Sequence, residues 1–303
     1  YAPLGFLLTL ALLRSGWGRW SWCLVLGLPA LLSLAVETLQ NYLPMRVPSN
    51  IDFALNAAGA AAGVASAWLM ERLGGVRRWT QFRADWFEPT AHGSLVLLAL
   101  WPFALLYPLS VPFGLGQIWD RLEAGLVLLL DETPFLAWVP VRLELLDPLS
   151  PLAEAFCIAL CLLSPLLMGF AEMRSVVRRV MFLLMLFLCA FGAAGLSAAL
   201  TYGPSHAWAW INPQASLGVG MALLAGLALL GLPRRLCIVV MLLSLAVSLT
   251  LLNRAPDSPY FAQSLEVWEQ GRFIRFYGLG QWLGWLWPYV TLLYVLVRVS
   301  RRD

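Results

Sequence analysis

Charge is what this sequence has least of. Only 12% of its 303 residues are Asp, Glu, Lys or Arg, about half the share that keeps a soluble domain in water. With 60% apolar residues and a mean hydropathy of +0.76, the chain has too little polar surface to cover a soluble fold. Water-soluble enzymes, nucleic-acid binders and disordered linkers are excluded together, and the formal net charge of +3 carries no message about nucleic acid. Lysine is absent, and all 20 basic residues are Arg. Histidine occurs only as His92 and His206, which excludes His-cluster metal chemistry. The cysteines, Cys23, Cys157, Cys161, Cys189 and Cys237, all sit in apolar runs, where a thiol behaves as a small hydrophobe. Cys157 and Cys161 have helical i,i+4 spacing, but no His or further Cys stands near them, so no metal or other cofactor is expected.

Long apolar runs are abundant. Runs of spanning length occur at Trp20 to Gln40, Ile51 to Met70, Ser94 to Val111, Pro151 to Phe170, Arg178 to Leu200, Ser216 to Leu232, Leu236 to Asn253 and Tyr277 to Arg298. The first run, Tyr1 to Leu13, falls short of the roughly 20 residues a bilayer core requires, which reads as a chain cut inside or just before a helix. The expectation is an all-α polytopic transmembrane helical bundle of eight full spans plus a truncated first helix. Putting the C-terminus in the cytoplasm assigns fourteen of the twenty arginines to that side, among them Arg72, Arg77, Arg174, Arg179, Arg235 and Arg298. This is the bias that cytoplasmic loops carry. The cluster Trp282, Trp285 and Trp287, with Trp79, Trp86, Trp208 and Trp210, falls near the interfaces, as aromatic belts do. Two longer segments, 114–150 and 254–276, fall on the outer face. The first predicts an interfacial helix followed by an extended stretch on the membrane surface.

Ionisable groups inside spans cost roughly 2.5–3.5 kcal/mol at the centre, so each calls for a reason. They concentrate between residues 37 and 63. Glu37 and Gln40 are i,i+3 neighbours at the outer end of one helix. Pro44 and Pro48 then turn the chain, with Arg46 between them. Asp52, Asn56, Gly59 and Gly63 lie at offsets 0, 4, 7 and 11, which a 3.6-residue period gathers onto a single stripe. Each feature has a structural alternative. Ser49 and Asp52 fit a helix cap, Gly59 and Gly63 fit close helix packing, and Arg46 could meet lipid phosphates at the interface. Glu37 must pair with Arg46, stay protonated or face water.

The spacing E-x2-Q-x5-R-x2-S-x2-D-x3-N-x2-G-x3-G, carried by Glu37, Gln40, Arg46, Ser49, Asp52, Asn56, Gly59 and Gly63, resembles the signature of the VanZ-like membrane protein family. The founding member of that family is associated with teicoplanin resistance. The resemblance covers about residues 1–75. It divides the chain into an N-terminal VanZ-like module and a multi-span helical extension, 76–303. In that family a further helix and a His-containing segment usually precede the part similar to Tyr1-Ala-Pro-Leu-Gly-Phe-Leu-Leu.

Three functions compete. The first, favoured by the resemblance, is binding or remodelling of a lipid or lipid-linked envelope glycan at the outer leaflet of the bacterial cytoplasmic membrane. Arg46 would meet a head-group phosphate, with Glu37, Gln40, Ser49, Asp52 and Asn56 positioning the rest. The second is an intramembrane hydrolase or transferase using Glu37 or Asp52 as general base and Arg46 to stabilise developing charge. No nucleophile or metal cluster accompanies them, which weighs against an enzyme. The third is a structural scaffold for envelope or exopolysaccharide machinery, in which the polar residues lock a hairpin and the extension docks onto envelope-protein partners.

Overall fold

The apolar runs fold as helices, and among the described residues no strand forms. The structure, a computed structural model, describes residues 1–15, 21–40, 50–107, 109–131, 133–138, 146–256 and 277–300, with the side chains of 21, 22, 40 and 277–279 excepted. Its helices are α1 (Ala2–Ser15), α2 (Ser21–Gln40), α3 (Asn50–Arg72), α4 (Gly75–Trp86), α5 (His92–Ala104), α6 (Trp119–Leu130), α7 (Pro151–Ala171), α8 (Val176–Tyr202), α9 (Pro213–Ala228), α10 (Arg234–Leu252) and α11 (Tyr277–Ser300). Short 3-10 turns occur at Pro134–Trp138 and Pro204–His206. The chain divides into two units, Tyr1–Asp85 and Trp86–Asp303.

Among the described residues five helical stretches are long and apolar enough to cross a membrane: Asn50–Arg72, Pro151–Ala171, Val176–Tyr202, Arg234–Leu252 and Gly280–Ser300. Four shorter apolar stretches, Ala2–Ser15, Cys23–Leu39, His92–Ala104 and Pro213–Ala228, account for the remaining apolar runs. Among the described residues five stretches thus reach full spanning length, against the eight expected from the apolar runs. The Ser94 to Val111 run ends as a helix at Ala104, after Pro102 has removed one backbone donor and crowded the carbonyl of Leu98. The Ser216 to Leu232 run begins at Pro213, where the Asn212 side chain accepts from the Ala215 N–H at 2.6 Å, and its helix closes at Ala228.

In the first unit, α1 and α2 pack against α3. The approach is close because side chains are missing where backbones meet. A methyl group at Gly63 would lie 2.0 Å from the Ala2 carbonyl oxygen, and one at Gly5 would lie 2.3 Å from that of Ala60. Leu12, Val25 and Val64 form a small apolar core. The helix α4 buries none of its residues. It carries Trp79 and Phe82, with ring centroids 5.8 Å apart, beside Arg77, Arg78 and Arg83, the composition of a helix lying in a membrane interface.

In the second unit α7 is the hub, buried along most of its length and packed against α5, α8, α9 and α10. Ser150 caps it by accepting from the Ala153 N–H at 3.3 Å, and Pro151 takes the first helical position, where its missing donor costs nothing. At one end of the unit Arg179, buried at 6% exposure, donates to the carbonyls of Met173 at 3.0 Å and of Leu230 and Leu232 at 2.7 Å each. Orphaned carbonyls at the ends of α7 and α9 are thereby satisfied from the start of α8. At the same end Arg298 forms an ion pair with Glu172 and donates to Ser94 Oγ at 3.0 Å and Thr90 Oγ1 at 2.8 Å. Ser94 donates in turn to Glu172 at 2.7 Å. At the opposite end Asn253 accepts from the N–H groups of Ile118 and Trp119 at 3.1 and 3.2 Å and donates to the Gly116 and Leu249 carbonyls. It thus joins the start of α6 to the end of α10. The expected surface helix within 114–150 is α6, an exposed twelve-residue helix. The extended stretch expected after it and most of 254–276 lie outside the described residues.

Candidate functional site

The polar residues of the first unit gather on α2 and α3. The covered face of α2 is one side chain wide, namely Val25, Pro29, Ser33 and Glu37, each four residues beyond the last. The flanking positions, including Leu24, Leu28, Leu31, Leu32 and Leu34, are exposed, as suits a helix bathed in lipid. Two of the four covered residues are polar: Ser33 is fully buried and Glu37 is 8% exposed. On α3, Asp52 lies in the first turn, where a carboxylate complements the helix dipole.

Asn56 fixes the register between the two helices. Its amide nitrogen donates to Ser33 Oγ at 3.0 Å. Eight residues further along α3, and eight back along α2, Val64 and Val25 belong to the same apolar cluster, so the helices run antiparallel. One turn the other way from the Ser33–Asn56 bond come Glu37 and Asp52, which brings two carboxylates to one level of the hairpin. Glu37 is buried there and Asp52 exposed, and both are engaged with other groups. Below them the α3 stripe turns from polar to small: Asn56 and Gly59 are half-buried, Gly63 is buried, and α1 crosses at Gly63.

The structure thus brings Glu37, Asp52 and Asn56 to one end of the α2–α3 pair and puts Gly63 in the α1 contact. Gly59 has more room, since a methyl group there would meet only the Ala2 nitrogen, at 3.6 Å. Arg46 and Ser49, and the side chain of Gln40, lie outside the described residues. Ser33 is the member that sequence reasoning missed. Its signal was present in the four-residue spacing to Glu37 on an otherwise apolar helix, but a lone serine in such a run is indistinguishable from one that bonds its own backbone.

Residues 1–71 match the VanZ/LLP1 family model. The matched segment includes α1, α2 and nearly all of α3, and therefore every residue of the polar end just described. No curated protein and no solved structure matches the chain. The VanZ/LLP1 segment, together with the apolar helices that follow it, points to a multi-pass membrane protein.

Proposed function

We propose that this protein acts at the outer leaflet of the bacterial cytoplasmic membrane, where the polar end of its VanZ/LLP1 segment binds or remodels a lipid or lipid-linked envelope component. The observation that carries the reading is Glu37. It is a buried carboxylate on a helix whose other faces are apolar, level with Asp52 and one turn from the Ser33–Asn56 bond. Keeping such a group in a span is costly, and a head group rich in hydroxyls and phosphate gives it a use. The carboxylates and the Asn56 amide offer acceptors and donors for a glycan. Arg46, in the segment joining α2 to α3, offers five donors in a fork that matches a phosphate. The association of the VanZ-like founding member with teicoplanin resistance agrees with such a target, because glycopeptides act on envelope precursors at that surface.

The test is native mass spectrometry of the full chain purified from its own membrane, beside Arg46→Ala and Glu37→Gln variants matched in melting temperature. A lipid or lipid-linked glycan retained by the parent, and reduced about tenfold or more in Arg46→Ala, is the expected result. Equal retention in the parent and in both folded variants, or no adduct in any of them, would leave the hairpin a structural lock.

The shared level of Glu37 and Asp52 favours one second reading, a hydrolase or transferase in which one carboxylate takes a proton from the attacking group. That reading requires Asp52→Asn to abolish turnover of the retained lipid while leaving its retention unchanged.

A further inference from the structure

The second unit contains a cavity of about 450 Å³, within the range of small-molecule sites. It lies at the end of the unit away from Arg179 and Arg298. It is bounded by the α5–α6 connection, the first turn of α7, the last turns of α8 and the Trp210 loop.

Its charge is one-sided. Among the described lining residues Glu154 is the only Asp, Glu, Arg or Lys. The Glu154 carboxylate makes no hydrogen bond or ion pair with a described residue, and it stands in the first turn of α7, where a carboxylate complements the helix dipole. Three hydroxyl groups of the lining are already committed. Ser197 donates to the Leu106 carbonyl at 3.1 Å, Thr201 donates to the Ser197 carbonyl at 2.7 Å, and Ser110 is bonded to Gln117.

The walls are aromatic. Phe113 and Trp210 meet edge to face, with centroids 5.3 Å apart and planes at 83°, and the Tyr107 ring also lines the cavity. Phe113 has φ +63°, a backbone region that bulky side chains rarely occupy and that persists only where the surroundings over-determine it. Among the described residues the buried Trp210 indole N–H has no acceptor, although indole donors in such places ordinarily find one.

An uncompensated carboxylate in a cavity lined by aromatic residues suits one class of ligand, an organic ammonium ion, which gains both from the opposite charge and from the ring quadrupoles. The unused indole donor adds a preference for an oxygen acceptor on the same molecule. We propose that this cavity binds an alkylammonium group, with Glu154 as its counter-charge and Phe113, Trp210 and Tyr107 as its walls. The site is separate from the α2–α3 hairpin and does not depend on the function proposed for it.

The experiment is calorimetric titration of the full chain in neutral maltoside micelles with three soluble probes: dihexanoylphosphatidylcholine, dihexanoylphosphatidylglycerol and tetramethylammonium. Saturable binding of the choline lipid, at least tenfold tighter than that of the glycerol lipid, is expected. Glu154→Gln should abolish that preference, and Glu154→Asp should keep part of it. Tetramethylammonium binding as tightly as the choline lipid would identify a free organic cation as the ligand, whereas binding of the choline lipid alone would identify a lipid-borne head group. Equal affinity for the two lipids, no binding of any probe, or an unchanged preference in a Glu154→Gln variant that melts like the parent would overturn the proposal.

Discussion

At the scale of single residues the two glycines of the α3 stripe are not equivalent. Four-residue spacing puts Gly59 and Gly63 on one face, and nothing in their composition ranks them. The approach of α1 ranks them, because a methyl group at Gly63 would press on the Ala2 carbonyl oxygen at 2.0 Å and on the Phe6 nitrogen at 2.9 Å. At Gly59 the corresponding contact is an ordinary 3.6 Å. Both neighbours at Gly63 are backbone and cannot rotate away, so α1 itself must move. Gly63→Ala is therefore expected to cost about 1–3 kcal/mol, the range for overpacking, and Gly63→Leu more. Gly59→Ala should be neutral or stabilising by a few tenths of a kcal/mol to about 1 kcal/mol through helix propensity. Denaturant unfolding in micelles measures both, and equal losses at the two positions would contradict the packing seen here. The same scale shows what spacing could deliver in the polar end. Asp52 and Asn56 share a stripe in the sequence and on α3, but the register that sets Glu37 beside Asp52 depends on Ser33, whose partner lies 23 residues away on another helix.

At the scale of elements, hydropathy located the helices well because each apolar run is long and its interior has few competing signals. The runs at Ile51 to Met70, Pro151 to Phe170 and Tyr277 to Arg298 became Asn50–Arg72, Pro151–Ala171 and Tyr277–Ser300. Helix ends were less legible where prolines sit inside an apolar run, as in α5, since hydropathy is blind to a missing backbone donor. The ties between elements were not legible at all. Arg298 and Glu172 are 126 residues apart, and each alone resembles an interfacial charge at the end of a span. Together with Ser94 they form a buried group joining α5, α7 and α11, in which Glu172 is only 2% exposed. Removing one member leaves the other buried and uncompensated, which costs about 3–5 kcal/mol where such pairs have been broken. Arg298→Met should therefore destabilise the second unit by roughly that amount, and Glu172→Met should do so comparably. The double variant should recover much of the loss, because two apolar side chains need no partner. A double variant as unstable as the sum of the two single ones would show that the residues act independently and would remove the ion pair as the cause.

At the scale of the whole molecule, the arginine bias acquires a physical basis within the second unit. Sequence order alternates the helix ends only if every run crosses the bilayer, an assumption that the shorter α5 and α9 weaken. Side-chain contacts supply what run length does not. Arg179 at the start of α8 bonds to the carbonyls that follow α9, and Arg298 at the end of α11 bonds to Glu172 at the end of α7 and Ser94 at the start of α5. Arg174, Arg178, Arg234 and Arg235 belong to the same helix ends. One end of this unit is thus basic, while the Asn253 end has Arg121 and Arg254 among the described residues and Arg142, Arg272 and Arg275 in the adjoining sequence. Short basic segments stay on the cytoplasmic side, and the orientation expected from that bias puts the Arg179 end in the cytoplasm and the Asn253 end, with the Glu154 cavity, outside. Cysteine labelling tests that orientation, in a background from which the five native cysteines have been removed. Ser205→Cys, exposed in the turn between α8 and α9, should react with a membrane-impermeant maleimide in intact cells. Arg235→Cys, exposed at the start of α10, should react only in inverted vesicles. The reverse pattern would turn the unit over, and the cavity would then open towards the cytoplasmic leaflet. Labelling of both positions from the same side would mean that α9 does not cross, because α9 is the helix that separates them.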